Sequence, residues 1–234
     1  MCLDRATIIV PTRNEEEGIA RFLSAIPDQA DLVVVDSSDD RTPDIIRRLR
    51  PQTWVIPARV NIPEARQIGA DAVTSEWLVF CDADVLLAPD YFEILGRLDD
   101  DPRIGGFVGT KSTVEGFDLY HRWFQRGQRL FDLVGIPAAT GSNMVVRRPA
   151  LDSVGGFDPT LTVNEDTELM FRLVKGGWRV PFEPRLQVLS FDHRRLEAGV
   201  ARKLAHGAAR NTALYLGVFG RSVRASDWGY WTAQ

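Results

Sequence analysis

Cysteine, histidine and long apolar runs are all scarce in this chain. Cysteine occurs twice, at Cys2 and Cys81. Two cysteines cannot build a disulfide framework. Cys2 lies near a terminus and Cys81 inside an apolar run, so both read as free thiols and suit a reducing compartment. No apolar stretch approaches the ~20 residues that cross a bilayer. The opening MCLDRATIIV is too short and too acidic for a secretory leader. The expectation is a cytoplasmic protein, with peripheral contact on the inner membrane face as the one exception. A basic excess is missing too. The formal net charge is -4, which argues against a nucleic-acid partner. Internal repeats, low-complexity segments and linkers are absent. With 44% hydrophobic and 26% charged residues over 234 positions, there is material for a sizeable core and a single domain.

What the chain has is alternation. Ala6-Thr7-Ile8-Ile9-Val10 is a β-branched run that ends at Pro11, a strand signal. Asn14 reads as the cap of a helix whose first turn holds Glu15, Glu16 and Glu17, acids that suit the positive end of a helix dipole. Ile19, Phe22, Leu23 and Ile26 then fall on one helical face. Leu32 to Val35 predicts a second strand, Thr42 to Leu49 a helix and Thr53 to Ile56 a third strand. Pro63 opens a further helix with Ala65, Ile68, Ala72 and Val73 on one side. Trp77 to Cys81 follows as a strand. This repetition predicts a mostly parallel central sheet flanked by helices. In such sheets ligands lie beyond the carboxyl ends of the strands. The polar clusters Pro11 to Asn14, Asp36 to Asp40 and Asp82 to Asp84 all follow strand-like runs, so they should gather on one edge.

The second half is less regular. Asp118 to Val134 predicts a helix, with Tyr120, Trp123, Phe124, Gly127, Phe131 and Val134 as a core-packing stripe. Met144 to Val146 reads as a strand. Glu165 to Lys175 predicts a helix closed by Gly176-Gly177. Trp178 to Phe182 and Leu186 to Phe191 read as two short strands, and Arg195 to about Gly217 as a last helix.

The chemistry centres on LVFCDADVLLAPD, Leu78 to Asp90. An apolar strand runs into two carboxylates, which repel unless something positive lies between them. If the strand persists, Asp82 and Asp84 point the same way and can address one cation. Hard oxygen ligands in small number suit Mg²⁺ or Mn²⁺, with waters and phosphate oxygens completing the shell. The same residues also read as an acidic turn. Asp82-Ala83-Asp84-Val85-Leu86 resembles the nucleophile motif of haloacid-dehalogenase-type phosphatases as well. There, however, the motif sits on the first strand and a later Gly-Asp-x-x-x-Asp follows; here three strands precede it and no such motif occurs. A sugar-1-phosphate nucleotidyltransferase would need a Gly-rich, basic loop after its first strand. Pro11 to Glu17 is neither.

Further motifs favour another family. Ile8-Ile9-Val10-Pro11-Thr12-Arg13-Asn14-Glu15 resembles the first strand and turn of glycosyltransferase family 2, and Val33 to Thr42 its second. Ala65-Arg66-Gln67-Ile68-Gly69 is similar to its Ala-Arg-Asn-x-Gly helix, with Gln67 in place of Asn. Asp82-Ala83-Asp84 matches its metal motif. Gly155-Gly156-Phe157-Asp158, followed by Glu165-Asp166-x-Glu168-Leu169, matches its acceptor-side signature. Together these span roughly Ala6 to His193. Arg41 stands where the family often has Gly, so the loop at Asp40 is expected to differ in shape.

The resemblance implies an α/β fold of GT-A type: a nucleotide-sugar-binding half over about 6–110, an acceptor half over about 111–193 and a C-terminal tail over 194–234. Thr12 and Asn14 would line the nucleotide pocket, with Pro11 shaping the turn. Asp36 would accept an N–H from the base, which suits uracil or guanine. Arg66 would lie near the base or diphosphate. Asp82 would face the ribose with Ala83 beside it, Asp84 and Asp82 would hold the metal, and His193 would complete that site, although a lone histidine also reads as a surface or core residue. Gly141, Ser142 and Asn143 would lie near the donor sugar and acceptor, a stretch that reads equally well as a turn. Glu165 and Asp166 would be catalytic, Asp166 as general base, although two acids at a helix start also read as capping. The implied reaction is metal-dependent. A divalent cation offsets charge on the leaving nucleoside diphosphate, the sugar becomes oxocarbenium-like, and a carboxylate takes the acceptor proton. One base without a second nucleophile implies inversion. A non-catalytic nucleotide- or carbohydrate-binding module would need no such base.

Arg195, Arg202, His206 and Arg210 recur on one face of the last predicted helix. They read as a solvated face or as a site for an anion: a lipid phosphate, a phosphorylated acceptor or headgroups. Trp228, Tyr230 and Trp231 would suit a membrane surface. The expected partners are a UDP- or GDP-sugar and a sugar, lipid or small-molecule acceptor.

Overall fold

The computed structural model describes residues 2–98, 101–113, 118–133, 135, 137 and 139–191. His193, Arg195, Arg202, Arg210, the last predicted helix and the aromatic tail lie outside them. In chain order the elements begin with β1 (Ala6–Thr12), α1 (Ile19–Ser24), β2 (Asp31–Asp36), α2 (Thr42–Leu49), β3 (Trp54–Pro57), α3 (Ile62–Asp71) and β4 (Trp77–Phe80). They continue with β5 (Val85–Leu87), α4 (Tyr91–Arg97), β6 (Gly106–Thr113), α5 (Asp118–Leu133), β7 (Met144–Arg147), α6 (Arg148–Ser153), α7 (Glu165–Lys175) and β8 (Phe182–Ser190).

The strands form one sheet in the order β3-β2-β1-β4-β7-β6-β8-β5. Four of its seven pairings are parallel: β1 with β2 and β4, β2 with β3, and β6 with β8. β7 runs antiparallel to both β4 and β6, and β5 antiparallel to β8. Central strands are apolar on both faces, as a sheet covered on both sides requires. Ile8 and Val10 of β1 with Trp77 and Val79 of β4 face one core, which also takes Phe22 of α1, Ile46 of α2 and Tyr91 of α4. The alternate residues Ile9, Leu78 and Phe80 face a second core with Ala70 of α3, Leu151 of α6 and Leu169 and Leu173 of α7.

Four sequence expectations change. α1 starts at Ile19 with Gly18 as its N-cap, not at Asn14. Asn14 sits at φ 55°, and its N–H and side chain are committed to Ser38 and Asp39. β4 ends at Phe80, so Asp82 and Asp84 follow the strand rather than extend it. The two short strands expected over 178–191 are one strand, β8, with a single bridge at Arg179 before it. In α5, Phe131 of the expected core stripe is 48% exposed and its neighbour Leu130 65%.

Candidate active site

The site begins where β1 and β2 end side by side, Thr12 paired with Asp36. Asp36 Oδ1 accepts hydrogen bonds from Thr12 Oγ1 at 2.7 Å and Ser38 Oγ at 2.7 Å. Asn14 ties the two loops together: its N–H donates to Ser38 Oγ at 2.8 Å, and its Oδ1 accepts from the Asp39 N–H at 2.9 Å. Asp40 takes the Thr42 N–H at 2.9 Å at the start of α2 and the Glu16 N–H at 3.2 Å, so it caps and cross-links at once. Beside Asp36 lies a groove of 320 Å³ walled by Ser38, Pro57, Ala58, Arg47 and Arg59.

The centre is Arg66, fully buried on α3. Its Nη1 donates to Glu165 Oε1. Its Nη2 donates to Asp82 Oδ1 at 3.0 Å and to the Gly141 carbonyl at 3.0 Å. One guanidinium therefore links the loop after β4, the turn before β7 and the first residue of α7. Two glycines make room for it. At Gly69 a Cβ would fall 2.4 Å from Ile9 Cγ2, so α3 lies hard against β1; at Gly141 a Cβ would fall 2.6 Å from Arg66 Nη2. Burial opposes the charge on Arg66, but Glu165, Asp82 and Asp166 outweigh it and raise the guanidinium's pKa. The positive group beside Asp82 is this arginine, which it shares with Glu165.

Asp82 Oδ2 accepts from Ser142 Oγ at 2.6 Å, and Ser142 Oγ accepts from Lys111 Nζ at 2.8 Å. Asp84 Oδ2 lies 3.4 Å from Ser190 Oγ at the end of β8, and the Asp84 carbonyl accepts the Phe191 N–H at 3.1 Å. Both acids thus stand at the carboxyl edge of the sheet. Cys81 between them and the core is a buried free thiol whose pKa burial and Asp82 push up. It is an inert packing group.

α7 opens after Asn164, at φ 60°. Among the described residues, Asn14 and Asn164 are the two non-glycine residues with positive φ, and each turns the chain at an edge of the site. Asp166 accepts N–H groups from Thr167, at 2.6 Å, and Gly141. Burial, and after it the Glu165 charge, push its carboxyl up to about 7 against the pull of Arg66 and the two N–H groups. A carboxyl at that value can exchange a proton near neutrality.

Asp82 and Asp84 offer only carboxylate oxygens, a donor set that fits Mg²⁺ or Mn²⁺ when phosphate oxygens and water supply the remaining positions. Among the described residues no cluster of three or more His, Cys, Asp or Glu forms a closed metal cage. Glu165 faces Arg66. Pro11 lies within β1 beside Val35. Sequence reasoning missed Lys111, whose only signal was a lysine inside a β-branched run. Asn143, next to Ser142, is buried, its amide donating to the Thr110 and Leu186 carbonyls while Tyr91 O–H donates to its Oδ1. Gln67, the departure from the expected Asn, accepts the Phe157 N–H at 2.9 Å and so pins the Gly155-Gly156-Phe157 turn.

Comparison with known proteins agrees with this geometry. The sequence model of "Glycosyl transferase family 2" matches residues 7–155. The pre-mycofactocin glycosyltransferase of Mycobacterium tuberculosis is 29% identical over 219 residues, covering 87% of this chain and 46% of that protein. This chain spans about half the length of that protein and of two further curated relatives it matches. The mannosyltransferase PcManGT from Pyrobaculum calidifontis, solved with GDP-Man and Mn²⁺, superposes with a TM-score of 0.67 at 26% identity, covering 82% of this chain and 58% of that one. Staphylococcus aureus TarS, solved with UDP-GlcNAc, shares the fold at a TM-score of 0.64 and 17% identity, covering 80% and 58%. The fold is of GT-A type, and the chain belongs to glycosyltransferase family 2.

Proposed function

We propose that this chain moves a sugar from a UDP- or GDP-sugar to a hydroxyl of a sugar, lipid or small-molecule acceptor, with inversion at the anomeric carbon. The observation that carries this is the Arg66 bridge, which joins Asp82 on the donor side to Glu165 beside Asp166. PcManGT with GDP-Man and Mn²⁺ and TarS with UDP-GlcNAc support the donor class.

In this proposal Asp36 reads the base. Its Oδ1 carries two protein hydrogen bonds, which leaves Oδ2 for a ring N–H of uracil or guanine. Thr12, Asn14 and Pro11 shape that pocket. Asp82, with Ala83 beside it, meets the donor. Asp84 and Asp82 would hold Mn²⁺ or Mg²⁺, with His193 as a third ligand, and the cation would offset charge on the departing diphosphate. Asp166 takes the proton from the acceptor hydroxyl. The acceptor oxygen bonds to the anomeric carbon, the bond from that carbon to the β-phosphate oxygen breaks, and its electron pair leaves with the nucleoside diphosphate. Glu165 is a positioning residue: Arg66 fixes it, and its charge keeps Asp166 basic. Arg195, Arg202 and Arg210 remain candidates for an anionic acceptor or membrane headgroups.

Calorimetric titration of UDP and GDP tests the donor site, each with Mn²⁺ and with EDTA, on wild type and Asp84→Ala. Binding of one nucleotide that needs metal and is lost in the variant is expected. If neither nucleotide binds under either condition, the proposal fails.

A further inference from the structure

Lys111 has no part in the chemistry above, yet it stands beside it. β6 pairs with β7 at Val108 opposite Met144, then runs on past the start of β7, with Lys111 opposite Val188 of β8. This overrun brings Lys111 to the turn that precedes β7. Its Nζ donates to Ser142 Oγ at 2.8 Å, and among the described residues it makes no ion pair. Ser142 is 5% exposed, and its Oγ lies 2.6 Å from Asp82 Oδ2.

The chemistry of the three groups fixes the direction of this chain of hydrogen bonds. An ammonium has donors and no acceptor; a serine hydroxyl has one proton. Ser142 must therefore accept from Lys111 and spend its only proton on Asp82. Arg66 holds the other carboxylate oxygen of Asp82 at 3.0 Å. Asp82 is thus bracketed by two cations, one in direct contact and one across a hydroxyl. Arg66 shares its charge with Glu165. Lys111 supplies its charge to the Asp82 side alone.

On the function inferred above, we propose that Lys111 is a positioning residue for the donor carboxylate Asp82, acting through Ser142. Partners of this kind, one bond removed from a ligand, typically set affinity or activity by roughly 10- to 100-fold.

The test is calorimetric binding of whichever of UDP and GDP the wild type takes, with Mn²⁺, on Lys111→Met, Lys111→Arg, Ser142→Ala and the double variant K111M/S142A, with Tm recorded for each. Lys111→Met and Ser142→Ala should each weaken binding roughly 10- to 100-fold. The double variant should be no weaker than the weaker single, because both changes break one relay. Lys111→Arg, again a donor that cannot accept, should recover wild-type affinity. Wild-type affinity in Lys111→Met, losses that multiply in the double variant, or no recovery by Arg would each overturn the proposal. Should Lys111→Met fail to fold, Ser142→Ala and Lys111→Arg decide, and wild-type affinity in Ser142→Ala overturns it. A wild type that binds neither nucleotide would instead sink the donor-site proposal itself.

Discussion

The site disfavours the ionised form of Asp166 but leaves it accessible near neutrality. Burial and Glu165 raise its carboxyl from the ordinary value of 3.8 to about 7. Stability follows by linkage. With the folded value above the unfolded one, the contribution is fully present below the unfolded value and is lost as pH rises through the folded one. Asp166→Asn ionises in neither state and lacks this slope. The Tm difference, variant minus wild type, should therefore grow from about pH 3.8 to about 7 and level off above it. Thermal melts across that range check this. Arg66 carries the opposite risk. Replacing it with Met leaves Glu165 buried without its cation, a change that costs about 3–5 kcal/mol; urea midpoints of Arg66→Met against wild type measure it. The acids of this site were legible in the sequence, because their types and order repeat a family pattern. What Arg66 touches was not, since Glu165 lies 99 positions away and only the fold brings them together.

Elements set these contacts through close approach. α3 reaches β1 because Gly69 has no side chain, and Arg66 sits one turn before it. In Gly69→Ala the new Cβ meets Ile9 Cγ2 at 2.4 Å, an overpacking that costs about 1–3 kcal/mol. The same shift should displace Arg66, so nucleotide affinity should fall along with the urea midpoint. A drop in stability with unchanged affinity would mean that α3 relaxes without moving the arginine. Long periodic elements were legible: α2, α7, β2 and β4 fall within a residue or two of their expected spans. β5 is three residues long, too short for any period to register. α4 and α6 are only seven and six residues long, under two turns each, and β6 carries two glycines, Gly106 and Gly109, at crowded points. The helix expected from Asn14 was displaced because a side chain able to cap was bound across the loop instead.

The site exists because a parallel half and a mixed half share one sheet. β1, β2 and β4 deliver Thr12, Asp36 and Asp82 to the carboxyl edge. Antiparallel β7 begins there rather than ends, so the turn before it supplies Ser142. The parallel half was legible from alternating strands and helices. The antiparallel insertion was not, because strand direction depends on pairing partners rather than on local pattern. A ligand that binds across this edge should stabilise the whole sheet by mass action, about 2.7 kcal/mol at a hundred times its Kd. A Tm rise with Mn²⁺ and the cognate nucleoside diphosphate, absent in Asp84→Ala, is the expected result.

Asp166 is proposed to take the acceptor proton as the nucleoside diphosphate leaves. Release of nucleoside diphosphate from the cognate sugar nucleotide, with Mn²⁺ and with water as the acceptor hydroxyl, followed against pH in wild type and Asp166→Asn, tests this most directly. Wild-type turnover should rise with pH through a midpoint near 7, and the Asn variant should be roughly 10²- to 10⁴-fold slower, without that rise, while binding the nucleotide normally. Turnover in Asp166→Asn at the wild-type rate with the same pH profile would contradict it.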